Sequence, residues 1–261
     1  SQTTVLPVTP TDWRELRCLG SFPQLSFHGG QCKSIEFLNC IRRSKRSLQG
    51  VFLHDCELTP ELIAAISDCS HLEGLGLEQV RPGSGRIVFR RLPKLKHVTL
   101  QSTGFVATEL AWITEQPNLE KLWLLNHDVT NELATHIIAC RALRELDLRD
   151  SAISAASIVR ILNESNVETL RLPKVKLTTT EIEAIAASQL KYVTLHDCDF
   201  DVSIEPLLRN ERLERLSVSL AQFEASVAAD LRLTRKSKLR LDVGPVKVYE
   251  DVKDDPWPKD V

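Results

Sequence analysis

Leu119-Glu-Lys-Leu122-Trp-Leu124, Leu143-Arg-Glu-Leu146-Asp-Leu148 and Val167-Glu-Thr-Leu170-Arg-Leu172 are three copies of one pattern, spaced 24 residues apart. Outward from them the same pattern opens at Leu48, Leu72 and Leu95 on one side and at Leu190 and Leu213 on the other. The steps between all eight starts are 24, 23, 24, 24, 24, 23 and 23 residues. Weaker copies flank the series, Phe22-Pro-Gln-Leu25-Ser-Phe27 before it and Lys236-Ser-Lys-Leu239-Arg-Leu241 after it. Self-similarity at a fixed period of this length is the mark of stacked repeats, each unable to bury its apolar face alone. Within a copy, alternate apolar residues predict a short strand with one buried face.

The second half of most repeats carries helical spacing. Leu62, Ile63 and Ile66 form one stripe; Leu110 with Ile113, Leu133 with Ile137, Ile158 with Ile161, and Ile182 with Ile185 repeat it. Thr59-Pro60-Glu61 and Thr178 followed by Glu181 are the residues expected at helix starts. One repeat breaks form: Pro82, Gly83 and Gly85 oppose a helix, and the stretch from Val80 to Arg91 predicts an extended or short 3₁₀ segment.

This pattern resembles the leucine-rich repeat LxxLxLxxN/CxL, in its ribonuclease-inhibitor-like, cysteine-containing branch, over Phe22 to Val243. The usual asparagine of the ninth position is absent; Cys56 and Cys198 fit the cysteine variant, beside Val80, Thr103, His127, Ser151 and Val175. The resemblance implies an α/β solenoid, a horseshoe of about ten strand–helix units with a parallel concave sheet inside and helices outside. It divides the chain into an N-terminal segment and cap over 1–21, the solenoid over 22–243 and a C-terminal tail over 244–261. Trp13 and Leu16 would cover the exposed end of the core.

In that geometry the third, fifth and seventh residues of each repeat point out from the concave sheet. The fifth row includes Phe52, Trp123, Asp147, Arg171 and Arg240; the seventh includes His28, His54, Leu125, Arg149, His196 and Asp242; the third includes Glu145 and Tyr192. Trp123 and Leu125 are large apolar side chains at positions expected to be wet, with Asp147, Arg149 and Arg171 beside them. An aromatic anchor flanked by charge is the composition of a protein-binding hot spot. The other reading is that Trp123 lies flat and covers its neighbours. The candidate partner-binding residues are Phe52, Trp123, Leu125, Glu145, Asp147, Arg149, Arg171 and Tyr192. His28 and His54 fall at the same position of adjacent strands, about 5 Å apart, with Asp55 near. The first repeat is irregular, and a solvated histidine pair is the reading adopted; no metal and no cofactor is expected. His127 falls inward and is expected to be a satisfied core histidine.

Charges sort by edge. The turns after the strands hold Asp55, Glu57, Glu61, Asp128, Glu132, Asp150, Asp197, Asp199, Asp201 and Glu224, and the loops leading back from the helices are rich in arginine, such as Arg42, Arg91, Arg141 and Arg209. Helix dipoles favour that sorting without any ligand. The basic rim has no aromatic interleaving for nucleic-acid stacking, so no nucleic-acid role is expected.

The chain is 261 residues, 43% hydrophobic and 5% aromatic, with net charge −2. That balance excludes a disordered chain and a generally basic nucleic-acid binder. No run approaches ~20 apolar residues, so no membrane-spanning segment is expected. Seven cysteines, with no CxxC, argue against a disulfide framework and for a reducing, cytoplasmic setting, unless a signal peptide has been removed. GxxxxGK[ST], GxGxxG, HExxH and GxSxG are all absent. The expected function is therefore a non-catalytic, monomeric protein-interaction module. The alternative is the substrate-recognition part of a larger assembly such as an F-box-type ubiquitin-ligase adaptor, although Leu6-Pro-Val-Thr-Pro10 lacks the helical leucine pattern of such a box.

Overall fold

A computed structural model describes residues 23–29, 35–83, 87–196, 198–200, 202–219 and 239–244. The expected cap over 1–21, with Trp13 and Leu16, and nearly all of the expected tail lie outside the described residues, as do Gly30, Asp197, Asp201 and Glu224. The described residues fall into two compact units, one up to Leu122 and one from Trp123.

The first unit holds strands β1 (Gln24–His28), β2 (Gly50–His54), β3 (Gly74–Glu78) and β4 (His97–Gln101), side by side in chain order. They are parallel, with Leu25, Val51, Leu75 and Val98 in one row and Phe27, Leu53, Leu77 and Leu100 in another. The next strand, β5 (Lys121–Leu125), contains the boundary between the units. The second unit holds β6 (Glu145–Asp147), β7 (Thr169–Arg171), β8 (Tyr192–Thr194), β9 (Arg215–Ser219) and β10 (Arg240–Gly244), again parallel and in chain order. Parallel neighbours need a crossover, and here each crossover is one repeat.

The crossovers carry helices α1 (Ile35–Ser44) and α2 (Pro60–Ser67) in the first unit, and α3 (Asn131–Ala139), α4 (Ala155–Glu164), α5 (Thr179–Ala187) and α6 (Glu205–Leu208) in the second. Each packs on the next within its unit. Two of their starts, at Thr59 and Thr178, are the caps read in the sequence, and Thr130 and Ser154 add two more. Thr59 and Thr130 accept from the backbone N–H three residues on at 3.3 Å, and Ser154 does so at 3.1 Å. Thr178 and Glu181 close a capping box, with Glu181 Oε2 accepting from the Thr178 N–H at 2.7 Å and from its hydroxyl at 2.6 Å. Such a cap is worth ~1 kcal/mol.

The Leu95 repeat departs from the expected α-helix. Residues Ala107–Glu115 form a 3₁₀ helix. It buries Ala107, Leu110, Trp112 and Ile113. The α-helices at Asn131–Ala139 and Ala155–Glu164 bury adjacent pairs four apart, as in Leu133, Ala134, Ile137 and Ile138. Before it, the Val80–Arg91 stretch is helix-free wherever it is described: Arg81–Pro82 pairs with Glu57–Leu58, and 87–92 is irregular. The buried Gln116 ties this stretch down, accepting from the Leu92 N–H at 2.8 Å and donating to the Trp112 carbonyl at 2.9 Å.

The ninth positions point inward without asparagine. Cys56, Val80, Thr103, His127, Ser151 and Cys198 are all buried. Ser151 Oγ donates to the Leu124 carbonyl at 2.6 Å and accepts from the His127 N–H at 3.0 Å, and Cys198 Sγ donates to the Pro173 carbonyl at 3.3 Å. These side chains do what an asparagine would, satisfying loop backbone of the preceding repeat. The eighth positions carry a signal not read from the sequence. Gly29, Asp55, Gln79, Ser102, Asn126 and Asp150 all have positive φ, between 48° and 78°. Glycine, asparagine and aspartate tolerate that left-handed turn best. It ends the strand and redirects the chain.

The last repeat sits two residues from its expected register. Leu216 pairs with Leu241 and Val218 with Val243, so Arg240 lies beside Arg215 and Asp242 beside Ser217. A shift of two keeps the same side chains on the buried face, so hydrophobic alternation alone does not separate the two registers.

Candidate functional site

The outward side chains of the second unit's strands form two rows. Register places Glu145, Thr169, Tyr192, Arg215 and Arg240 in one. Asp147, Arg171, Thr194, Ser217 and Asp242 form the next.

Trp123 is not the wet anchor the sequence suggested. Only 7% of it is exposed, and its indole N–H donates to Glu145 Oε1 at 3.2 Å. The covering reading of this residue matches its burial. Indole is a large apolar surface with one polar edge, and it is stable at a buried position once that edge is paired. Asp147 is fully buried and Arg149 is 9% exposed. The Arg149 Nε lies 2.9 Å from both carboxylate oxygens of Asp147, Nη2 lies 2.7 Å from Oδ2, and the Arg149 backbone N–H donates to Oδ1 at 3.1 Å.

Arg171, half-buried, joins these groups. Its Nη1 donates to Glu145 Oε1 at 2.5 Å and lies 3.8 Å from Asp147 Oδ2. Glu145 Oε1 thus receives both the indole and the guanidinium. Two carboxylates and two guanidiniums interlock with no net charge, the condition under which ionic groups can be buried together. Leu125 is half-buried, and Tyr192, 40% exposed, is the large apolar group most open on this face. The Tyr192 hydroxyl donates to Glu214 at 2.8 Å, and that carboxylate holds the phenol above its ordinary pKa.

Toward β10 the pairing changes. Asp242 accepts from Arg215 Nε at 2.6 Å and from Arg240 Nε at 3.0 Å. Burial raises the Asp242 pKa, but the hydrogen bonds and charges of the two arginines outweigh it and hold the carboxyl below its usual range. Beside it, Ser217 Oγ and His196 Nε2 are 2.6 Å apart.

In the first unit Phe52 is half-buried over Gly76. A Cβ on Gly76 would lie 2.3 Å from the ring, so the glycine makes room for Phe52 to lie flat. Phe52 therefore covers the sheet instead of standing out as an anchor. His28 and His54 are register partners, as expected, and His54 Nε2 lies 3.8 Å from Glu78 Oε1. Among the described residues, no three His, Cys, Asp or Glu side chains gather as metal ligands. His127 is buried, and burial lowers its pKa to about 4, so it is a neutral core residue at ordinary pH.

A second ladder was missed in the sequence although it is legible there. The second residues of successive repeats run Glu73, Lys96, Glu120, Arg144, Glu168, Lys191 and Glu214. Lys96 Nζ meets Glu73 at 3.1 Å; Lys191 Nζ meets Glu168 at 2.6 Å, with Arg144 Nε 3.7 Å from the same carboxylate. Of the acidic rim, Glu61 and Glu132 fall in first helical turns, which Glu181 and Glu205 also occupy. Among the described helices only α1 has arginine in its last turn, so the helix-dipole account covers the acids better than the bases.

No family model matches the sequence. The search of curated proteins returned no match. Solved structures do match. An internalin, InlF, from Listeria monocytogenes superposes with a TM-score of 0.54 at 17% identity, over 89% of this chain and 69% of its own. Internalin C2 from the same organism gives 0.46 at 14%, over 79% and 83%. The mouse RP105/MD-1 complex gives 0.46 at 15%, over 70% and 42%. The InlF likeness shows the fold, a leucine-rich-repeat α/β solenoid. The ribonuclease-inhibitor-like branch is not separated from the others by these comparisons. No described helix is long and apolar enough to cross a membrane.

Proposed function

We propose that this chain is a protein-interaction module with no catalysis of its own, binding a partner protein on the outer strand face of its second unit. The observation that carries this reading is the interlocked set of Trp123, Glu145, Arg171, Asp147 and Arg149. It locks side chains on a face that has no need of them for the leucine core. A surface whose rotamers are already fixed loses little entropy when a partner docks. Repeat proteins can vary such rows without disturbing the core beneath.

In this reading Leu125, Glu145, Arg171 and Tyr192 meet the partner, while Trp123, Asp147 and Arg149 hold them in place from beneath. Phe52 belongs to the other unit and serves packing. The test is retention of partner proteins by the immobilised chain, compared with Arg171→Glu and Tyr192→Ala, each first shown to unfold cooperatively. Arg160→Glu on α4 is the control. A partner retained by the parent and the control but lost by both face variants supports the reading. An unchanged partner set in all four rejects it.

A further inference from the structure

The C-terminal strands of this face differ from the interlocked part, and the difference points to the chemistry of a ligand. Around Glu145 and Asp147, two guanidiniums meet two carboxylates. Between β9 and β10, two guanidiniums meet one: Arg215 and Arg240 both donate to Asp242. Their side chains are 43% and 69% exposed, against 34% for the aspartate. The outward rows of β7 to β10 supply Thr169 and Thr194 as further hydroxyl groups, and Asp242 as the sole carboxylate among their third and fifth positions; the Tyr192 hydroxyl is taken by Glu214, and Ser217 Oγ lies against His196.

We infer that the strip over β8 to β10 binds an extended acidic peptide segment, whose carboxylates take the open sides of the Arg215 and Arg240 guanidiniums. This rests on the protein-interaction reading above and names the chemistry of the partner. A guanidinium presents its N–H groups in a planar fork and can hold two carboxylates at once, one on each edge. Asp242 occupies the Nε edge of each arginine and so orients both forks. The two exposed guanidiniums attract an anion, and the Thr194 hydroxyl beside them can donate to a carboxylate oxygen. A nucleic acid would offer the same charge, but base stacking needs aromatic platforms, and the strip has one, Tyr192. A protein carboxylate is the better fit.

Fluorescence anisotropy with a labelled twelve-residue peptide of alternating Glu and Ser tests this, beside its Gln–Ser counterpart and a twelve-nucleotide uridylate. The acidic peptide should bind at low salt at least about tenfold more tightly than the Gln–Ser peptide. Arg215→Glu with Arg240→Glu should remove that advantage, and Arg160→Glu on α4 should not. Equal binding of the two peptides, equal loss in the Arg160 control, or tighter binding of the uridylate each overturns the inference. A partner protein lost with Arg171→Glu and Tyr192→Ala but indifferent to Arg215→Glu and Arg240→Glu overturns it too, and leaves the broader reading standing.

Discussion

His127 and Arg149 show how single residues hold this chain together. His127 stands where the repeat pattern asks for asparagine, and burial depresses its pKa from 6.5 to about 4. The unfolded chain therefore binds a proton that the folded chain refuses between those values. Stability is full above pH 6.5, falls as pH drops toward 4, and levels off below. The loss attributable to this residue is at most about 3 kcal/mol. His127→Gln keeps a polar group with no proton to gain, and its thermal midpoint should fall less than the parent's between pH 7 and 4.5. Equal slopes would exclude His127 as the cause. Arg149 is the other case. Asp147 is fully buried, and Arg149→Met would leave its carboxylate without its closest guanidinium. Breaking a buried pair on one side costs about 3 kcal/mol, which urea unfolding would read as a lower midpoint with unchanged slope.

At the scale of strand and helix, the repeat pattern identified which segments are strands and which carry helices, and the caps at Thr59, Thr130, Ser154 and Thr178 confirm the helix starts. It did not distinguish α from 3₁₀ at Ala107–Glu115, because a leucine–isoleucine pair three apart suits both. Nor did it show the pairing of Phe52 with Gly76. Each is unremarkable within its own strand, and they meet only because β2 and β3 lie in register. Gly76→Ala should therefore destabilise the first unit by ~1–3 kcal/mol, since the new methyl collides with the ring. Phe52→Leu in the same chain should recover part of that loss. Additive losses in the double variant, measured by chemical unfolding, would show that the two positions do not meet.

Across the whole molecule the cysteines report on packing. Cys40, Cys56, Cys69, Cys140 and Cys198 are buried and not joined in disulfides. Burial pushes Cys69 up to about 11 and Cys140 up to about 12, so neither forms thiolate near neutral pH. In the native chain at pH 8, at most Cys18 and Cys32, which lie outside the described residues, should react with a disulfide reagent. All seven should react after unfolding. A third thiol reacting quickly in the folded state would contradict the packing described above.

The sequence by itself determined the period, the parallel strands, the helical crossovers and the identity of the buried leucines. All follow from residues close in the chain, repeated at a constant step, and local periodicity encodes them directly. The charge alternation down the second positions was equally available to a reader who aligned the repeats. Tertiary structure alone decided which outward side chains are open. Trp123 has the composition of an exposed anchor, yet its neighbours across the sheet, 22 and more residues away, bury it and take its N–H. The register of β10 was decided there as well, since a shift of two residues preserves the alternation, and the strand pairing sets Leu241 beside Leu216 and Asp242 beside Ser217. The physical reason is common to both. Hydrophobic alternation states which face a residue is on, and says nothing of what the next strand sets beside it.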